Sequence, residues 1–200
     1  MSGVKQIAGR AVVVQRSDVD TDQIIPAAWL KRVERTGFGA GLFEAWRADP
    51  SFPLNQPGAD TARVLLSGPN FGCGSSREHA VWALQDFGFQ AVVAPSFADI
   101  FRGNAISSGL VPAQVTEEAA ARLGAALAAA PEAEVVVDVP ARTISVGADV
   151  TEPFELADYA QWRLIEGLDD IGLTLRHEDA IAAFEARRSD WLPAVTTTGS

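Results

Sequence analysis

Residues 68–80 constrain the fold of this chain more than any other stretch, and they read GPNFGCGSSREHA. The run before them, residues 63–67, is short and apolar, which predicts a buried strand. After them, apolar residues recur at helical spacing, which predicts a helix over 76–87. Ser75 and Glu78 have the spacing of a capping box, so we expect Ser75 to cap that helix. The stretch is therefore a glycine-rich turn between a strand and a helix.

Several groups in this turn favour the binding of an anion. Gly72 and Gly74 can adopt a positive φ angle and let the backbone approach a ligand closely. The start of the helix offers free N–H groups and a partial positive charge. Arg77 adds a planar guanidinium that suits a carboxylate or a phosphate. The turn is thus predicted to be an anion site that also contains the hydroxyls of Ser75 and Ser76.

Three other glycine motifs do not fit this turn. A dinucleotide fingerprint needs a glycine at position 77 and an acidic residue at the end of the next strand, and the sequence has neither. A phosphate loop needs a Gly-Lys-Ser/Thr ending, and a hydrolase elbow needs Gly-x-Ser-x-Gly, and this turn has neither. A plain tight turn before a capped helix stays open as an alternative, although it leaves Ser76, Arg77 and the paired glycines unexplained.

The rest of the chain predicts a mixed α/β fold in a single domain over residues 1–192, followed by a disordered tail over 193–200. The predicted strands are residues 4–14, 63–67, 90–94, 110–115, 134–139, 143–146 and 150–154. The predicted helical segments are residues 43–46, 76–87, 96–104, 116–129, 156–166 and 177–188, and residues 29–35 are predicted to be helical or irregular. Strands and helices alternate first and strands cluster later, so we expect both parallel and antiparallel pairing.

Charge and cysteine content exclude several functions. The net charge of −10 and the pI near 4.6 argue against a nucleic-acid partner. Cys73 is the single cysteine and the chain has 2 histidines, so we expect no disulfide and no iron–sulfur or zinc site held by this chain alone. The sequence shows no secretory leader and no membrane-spanning run, which predicts a cytoplasmic protein.

Two segments near the start of the chain carry charges that could serve the anion site. Asp20 and Asp22 lie in a loop rich in side-chain acceptors, where each is expected to form a turn or to support an arginine. Arg32 and Arg35 would share one helix face beside a glycine-rich joint at residues 37–41, which we expect to be flexible. This segment is either a lid over an anionic substrate or a solvated positive face.

Four ordered motifs resemble the aconitase swivel-domain family, and together they span nearly the whole chain. The motif over residues 70–80, NFGCGSSREHA, is similar to that of the small subunits of 3-isopropylmalate dehydratase. The other three are DTDQIIP at 20–26, PSFADIFRGN at 95–104 and GLDDIGLTL at 167–175. The resemblance implies a three-layer β/β/α swivelling domain with mixed parallel and antiparallel strands.

The resemblance also implies a hydro-lyase of leucine biosynthesis that moves a hydroxyl between adjacent carbons by dehydration and rehydration. It implies that Ser75 is the catalytic base, and that the substrate, a small hydroxy dicarboxylate, contacts Ser76, Arg77, Gly74, Arg35 and Arg32. Asp22 and Glu78 would support these groups, whereas His79 is expected to be structural and Cys73 has no assigned role. No cofactor is expected in this chain, and a [4Fe–4S] cluster is expected on a separate large subunit that forms a heterodimer with it.

Two other functions stay open at this point. The first is a small subunit of a homoaconitase-like or methylmalate/citraconate isomerase, because Arg32 and Arg35 together could accept a further carboxylate. The second is a non-catalytic regulatory module that binds an anion.

Overall fold

The computed structural model describes residues 3–31 and 36–189. The strands are β1 (Gln6–Val14), β2 (Ala62–Ser67), β3 (Ala91–Ala94), β4 (Val111–Gln114), β5 (Val135–Asp138), β6 (Thr143–Val146) and β7 (Val150–Pro153). They form a 7-stranded sheet in the order β4-β3-β2-β1-β5-β6-β7. Strands β1 to β4 pair in parallel, and β1 and β5 to β7 pair antiparallel. The mixed pairing predicted from the order of elements is confirmed.

Helices surround this sheet. They are α1 (Thr21–Ile24), α2 (Glu44–Arg47), α3 (Glu78–Phe87), α4 (Asp99–Ser108), α5 (Glu117–Ala129), α6 (Asp158–Glu166), α7 (Asp170–Leu175) and α8 (Glu178–Glu185). Short 3-10 turns lie at Ala27–Lys31, Phe38–Gly41, Pro53–Asn55 and Ala59–Thr61. Within the described ranges, each helix is too short or too polar to cross a membrane.

Alternate residues of the parallel strands face two different cores, as the two-residue period of a strand requires. In β2, Leu65 packs in the first core, whereas Val64 and Leu66 pack in the second. The first core contains Val81 of α3, and the second contains Ile144 of β6. The helices α3 and α4, the parallel strands and the antiparallel strands therefore form successive layers, which agrees with the expected β/β/α arrangement.

Helix α4 differs from its prediction at both ends. Its N-cap is Ala98, because the hydroxyl of Ser96 instead accepts a hydrogen bond of 2.8 Å from the amide of Asn70. The helix continues to Ser108, well past the predicted end near residue 104. Thr116 does cap α5 as predicted, since its hydroxyl accepts a hydrogen bond from an amide in the first turn. Ser96 thus joins α4 to the glycine turn and does not begin the helix.

Candidate active site

The loop after β1 holds the glycine turn in place through main-chain hydrogen bonds. Parallel pairing of β1 and β2 reaches Ser67. Beyond it, Asp18 N donates to Pro69 O at 2.9 Å, Gly72 N donates to Val19 O at 2.8 Å, and Thr21 N donates to Cys73 O at 2.9 Å. The turn is therefore built against residues 18–21, and its shape does not depend on its own sequence alone.

Gly72 and Gly74, two of the three glycines of the turn, adopt the left-handed conformation, with φ of 77° and 89°. They differ in the space around them. A Cβ atom at Gly72 would lie 2.2 Å from Cγ of Phe101, which is in the first core. A Cβ atom at Gly74 would lie no closer than 3.4 Å to another residue, at Cβ of Asp20. Gly72 is therefore needed for close packing as well as for its φ angle, and Gly74 for its φ angle alone.

Ser75 and Ser76 are exposed at the mouth of a cavity of about 260 Å³. In the part of the chain that the structure describes, neither hydroxyl has a hydrogen-bond partner, so both are available to a ligand. The carbonyl oxygen of Ser75 accepts a hydrogen bond of 2.9 Å from Oγ1 of Thr21, a side chain that is 2% exposed. Thr21 thus fixes the backbone that carries Ser75. Sequence reasoning passed over Thr21, although it stands between the two acids of the DTD motif.

The predicted capping box of Ser75 and Glu78 is wrong. Helix α3 begins at Glu78, and its N-cap is Arg77, which has extended backbone angles and makes no side-chain cap bond. Ser75 lies two residues before the cap: Thr21 holds its carbonyl oxygen, Asp22 holds the side chain of Arg77, and the backbone is still extended at Arg77. The correction matters for function, since the hydroxyl of Ser75 is left unused by the helix.

Arg77 and Asp22 face each other in a two-pronged ion pair. Nη1 donates to Oδ1 of Asp22, and Nη2 donates to Oδ2 at 3.1 Å. The side chain of Arg77 is 15% exposed and that of Asp22 is 52% exposed, so the acid lies on the solvent side. Asp20 caps α1 through a capping box with Gln23. A guanidinium has five N–H donors, so Arg77 keeps donors for a second anion while Asp22 holds its plane in place.

Two further titratable side chains of the turn, His79 and Cys73, have no predicted part in binding an anion. The ring of His79 packs against Phe38 at 5.3 Å and against Trp82 at 4.7 Å between centroids. These ring contacts support a structural role for His79, which stays a prediction. The thiol of Cys73 is partly buried. Burial raises its pKa, and the negative charges of Asp20 and Asp18 raise it further. A thiol held protonated in this way is a poor nucleophile.

The glycine-rich segment over residues 37–41 is not the flexible joint that was predicted. Phe38 is fully buried, and its amide donates to Oδ2 of Asp86 at 2.9 Å. A Cβ atom at Gly39 would lie 2.8 Å from the amide nitrogen of Phe87. Gly39 therefore serves close packing against the end of α3. Arg32 and Arg35 lie outside the described residues, so the lid stays a prediction.

The residues present do not form a site for an iron–sulfur cluster. Within residues 3–31 and 36–189, no group of three or more His, Cys, Asp or Glu side chains could hold a metal ion. Such clusters need several thiolates, and this chain has 1 cysteine. The chemistry open to this surface is therefore that of hydroxyls, a guanidinium and main-chain amides.

Comparison with known proteins identifies the family of this chain. Residues 1–118 match the model of the aconitase C-terminal domain, and residues 170–197 match that of the C-terminal domain of 3-isopropylmalate dehydratase small subunits. The 3-isopropylmalate dehydratase small subunit of Frankia alni is 61% identical over 93% of this chain and 95% of its own. The small subunit of Parafrankia sp. is 62% identical over 92% of this chain and 94% of its own.

A solved structure gives the same result for the fold. The crystal structure of 3-isopropylmalate dehydratase from Methanocaldococcus jannaschii is 28% identical, with a TM-score of 0.67 over 90% of this chain and 99% of the other. The resemblance first seen in four short motifs thus extends over almost the entire chain. This chain belongs to the family of 3-isopropylmalate dehydratase small subunits, which are parts of hydro-lyases of the aconitase type.

Proposed function

We propose that this chain supplies the catalytic base and the carboxylate clamp for the interconversion of 2-isopropylmalate and 3-isopropylmalate, in a complex with a large subunit. One observation carries the proposal. Two hydroxyls without partners in the described residues, those of Ser75 and Ser76, are exposed beside a guanidinium whose plane is held by Asp22. This is an arrangement for receiving a carboxylate next to a group that can take a proton.

The demanding step is removal of a proton from a carbon next to a carboxylate, because the C–H group at that carbon is a very weak acid. Ser75 would accept this proton as an alkoxide, and the negative charge that grows on the substrate carboxylate must be stabilised at the same time. Arg77 and the free amides at the start of α3 supply that stabilisation, because helix α3 begins directly after the turn. The hydroxyl of Ser76 would orient the same carboxylate.

A serine hydroxyl is a poor base in water, so the proposal requires that water be excluded. Ser75 is exposed in this chain, and the partner would have to cover it. The cluster that assists departure of the substrate hydroxyl is expected on that partner, because this chain lacks ligands for it within the described residues. Proton removal and carboxylate binding are then the tasks of this chain.

The test is to replace Ser75→Ala in the complex reconstituted with the large subunit. We expect kcat for isopropylmalate to fall by at least about 100-fold, because general base catalysis is lost, with a smaller change in KM. Ser17→Ala is the matched control, since Ser17 is also exposed in a loop at the same end of the parallel strands. Turnover that survives Ser75→Ala would refute the assignment of the base. Binding of isopropylmalate without any turnover in the unmodified complex would instead support the non-catalytic alternative.

The homoaconitase-like and methylmalate/citraconate alternatives are now less favoured. The relatives described above are named for isopropylmalate, whereas the role of Arg32 and Arg35, on which these alternatives rest, stays a prediction because both lie outside the described residues. A comparison of kcat/KM for isopropylmalate, homocitrate and citramalate in the same complex would decide among them.

A further inference from the structure

The first turn of α4 lines the same cavity as the two serines. Asp99 and Ile100 both face this cavity, together with Ser75, Ser76 and Arg77. Neither Asp99 nor Ile100 has a part in the proposed chemistry. Their position beside the reacting groups therefore needs another explanation.

Ile100 is an apolar side chain that the fold leaves in water. It is 55% exposed, whereas the next residue, Phe101, is 2% exposed and Ala105 is fully buried. Helix α4 thus already buries its core face without Ile100. Single exposed apolar residues are common on monomers, so this observation gains weight from its neighbour and its location.

Asp99 is an exposed carboxylate with no ion pair or hydrogen bond among the described residues. A negative charge in the first turn of a helix is stabilising in itself. However, it lies on a cavity that is proposed to receive a dianionic substrate, and like charges in one site repel each other. Asp99 is therefore not suited to contact the substrate, and a cation from another molecule would remove the conflict.

We infer that Asp99 and Ile100 are the docking anchor for the cluster-bearing large subunit. The partner would present an apolar socket for Ile100 and an arginine or lysine for Asp99. The inference rests on the proposed function, because Ser75 can reach a substrate held on the partner only if the partner covers this cavity. Residues that line the cavity then lie inside the interface, where desolvated apolar anchors contribute most to affinity.

The first experiment measures affinity between the purified large subunit and variants of this chain by isothermal titration calorimetry. Ile100→Glu should raise Kd by about tenfold or more, since it buries a charge in an apolar socket. Ile100→Val, which keeps the shape and apolarity, should stay within about threefold. Ile171→Glu is the matched control, because Ile171 is 71% exposed on α7 and does not line the cavity.

The charge is tested separately. Asp99→Lys should raise Kd for the large subunit. This loss of affinity should become smaller as salt is added, because salt screens exposed charge interactions. A loss of affinity that is the same at low and high salt would contradict an electrostatic role for Asp99.

Failure of this inference can be told apart from failure of the proposed function. Ile100→Glu should recover the unmodified kcat when both the large subunit and isopropylmalate are saturating, whereas Ser75→Ala should keep its affinity for the large subunit and lose kcat. If Ile100→Glu binds as tightly as the unmodified chain, or if Ile171→Glu weakens binding equally, the docking anchor is wrong. If Ser75→Ala keeps full turnover, the proposed base is wrong whatever the affinities are.

Discussion

Replacing Gly72 or Gly74 of the turn by alanine, one at a time, tests the geometry of the site. Gly72→Ala and Gly74→Ala each place a Cβ atom on a residue with φ near +80°, at 77° and 89°. The new atom meets Cγ of Phe101 at 2.2 Å in the first variant and nothing closer than 3.4 Å in the second. The two variants therefore share one energetic cost, and Gly72→Ala adds another.

The shared cost is that of an L-residue in the left-handed region, about 1–2 kcal/mol. The additional cost at position 72 is overpacking of the core against Phe101, about 1–3 kcal/mol. We therefore expect the free energy of unfolding to fall by about 2–5 kcal/mol in Gly72→Ala and by about 1–2 kcal/mol in Gly74→Ala. The ring of Phe101 is 2% exposed in the core, so it has little room to move aside.

Urea unfolding of the purified chain at equilibrium measures these losses, provided that the m-value is unchanged. A double-mutant cycle identifies the source of the difference. Phe101→Ala should relieve the overpacking in Gly72→Ala, giving a coupling energy of about 1–3 kcal/mol, and should combine additively with Gly74→Ala. Equal losses in the two single variants, or a Gly72→Ala cycle without coupling, would refute the argument that Phe101 dictates a glycine at position 72.

Two further variants test charged pairs. Asp22→Asn should raise KM for isopropylmalate about fivefold, because Asp22 holds the guanidinium of Arg77 in place for the substrate. It should cost little stability, because the Arg77–Asp22 pair is partly exposed and worth about 1 kcal/mol. An unchanged KM in steady-state kinetics would contradict this role of Asp22. The hydrogen bonds from Arg122 lower the pKa of Glu152, so the pair stabilises the fold at neutral pH, and this contribution is lost as the pH falls from the usual glutamate pKa through the lower pKa of the folded state. Urea unfolding of Glu152→Gln at pH 7 and pH 4 should accordingly show a stability deficit that shrinks on acidification, and a deficit independent of pH would contradict it.

Local sequence predicted those parts of the fold that local rules decide. The strand at 63–67 is an apolar run that ends at a glycine turn, and the structure has β2 at Ala62–Ser67. The positive φ angles of Gly72 and Gly74 followed from the need for a sharp turn between a strand and a helix. In each case the neighbours in sequence are enough to determine the conformation.

The helix start was mispredicted because contacts distant in sequence override the local rule. Ser75 and Glu78 satisfy the spacing of a capping box, yet Thr21 binds the carbonyl oxygen of Ser75, Asp22 pairs with Arg77, and the helix begins only after Arg77. No pattern within residues 70–80 reports on those contacts. The signal lies elsewhere in the sequence, since the acceptor-rich loop at 20–22 is suited to supporting an arginine.

The same reasoning explains the error over residues 37–41. Three glycines in five residues suggest flexibility when nothing is known of their surroundings. In the structure, Gly39 and Gly41 approach the end of α3 and the ring of Trp29, respectively, so closely that a Cβ atom would clash. A glycine needed for close packing and a glycine needed for backbone flexibility look identical in sequence, and only the packing around them distinguishes the two.

The exposure of Ser75 bears directly on how a divided active site can work. In water, the alkoxide of a serine is too costly to form, so the isolated chain has a well-placed hydroxyl and no usable base. If the large subunit docks on Asp99 and Ile100, it closes the cavity that these residues share with Ser75. Docking and exclusion of water would then be one event, since the surface that binds the partner is also the wall of the site. On this scheme, the small chain by itself cannot remove protons wastefully before its partner and the substrate are both in place.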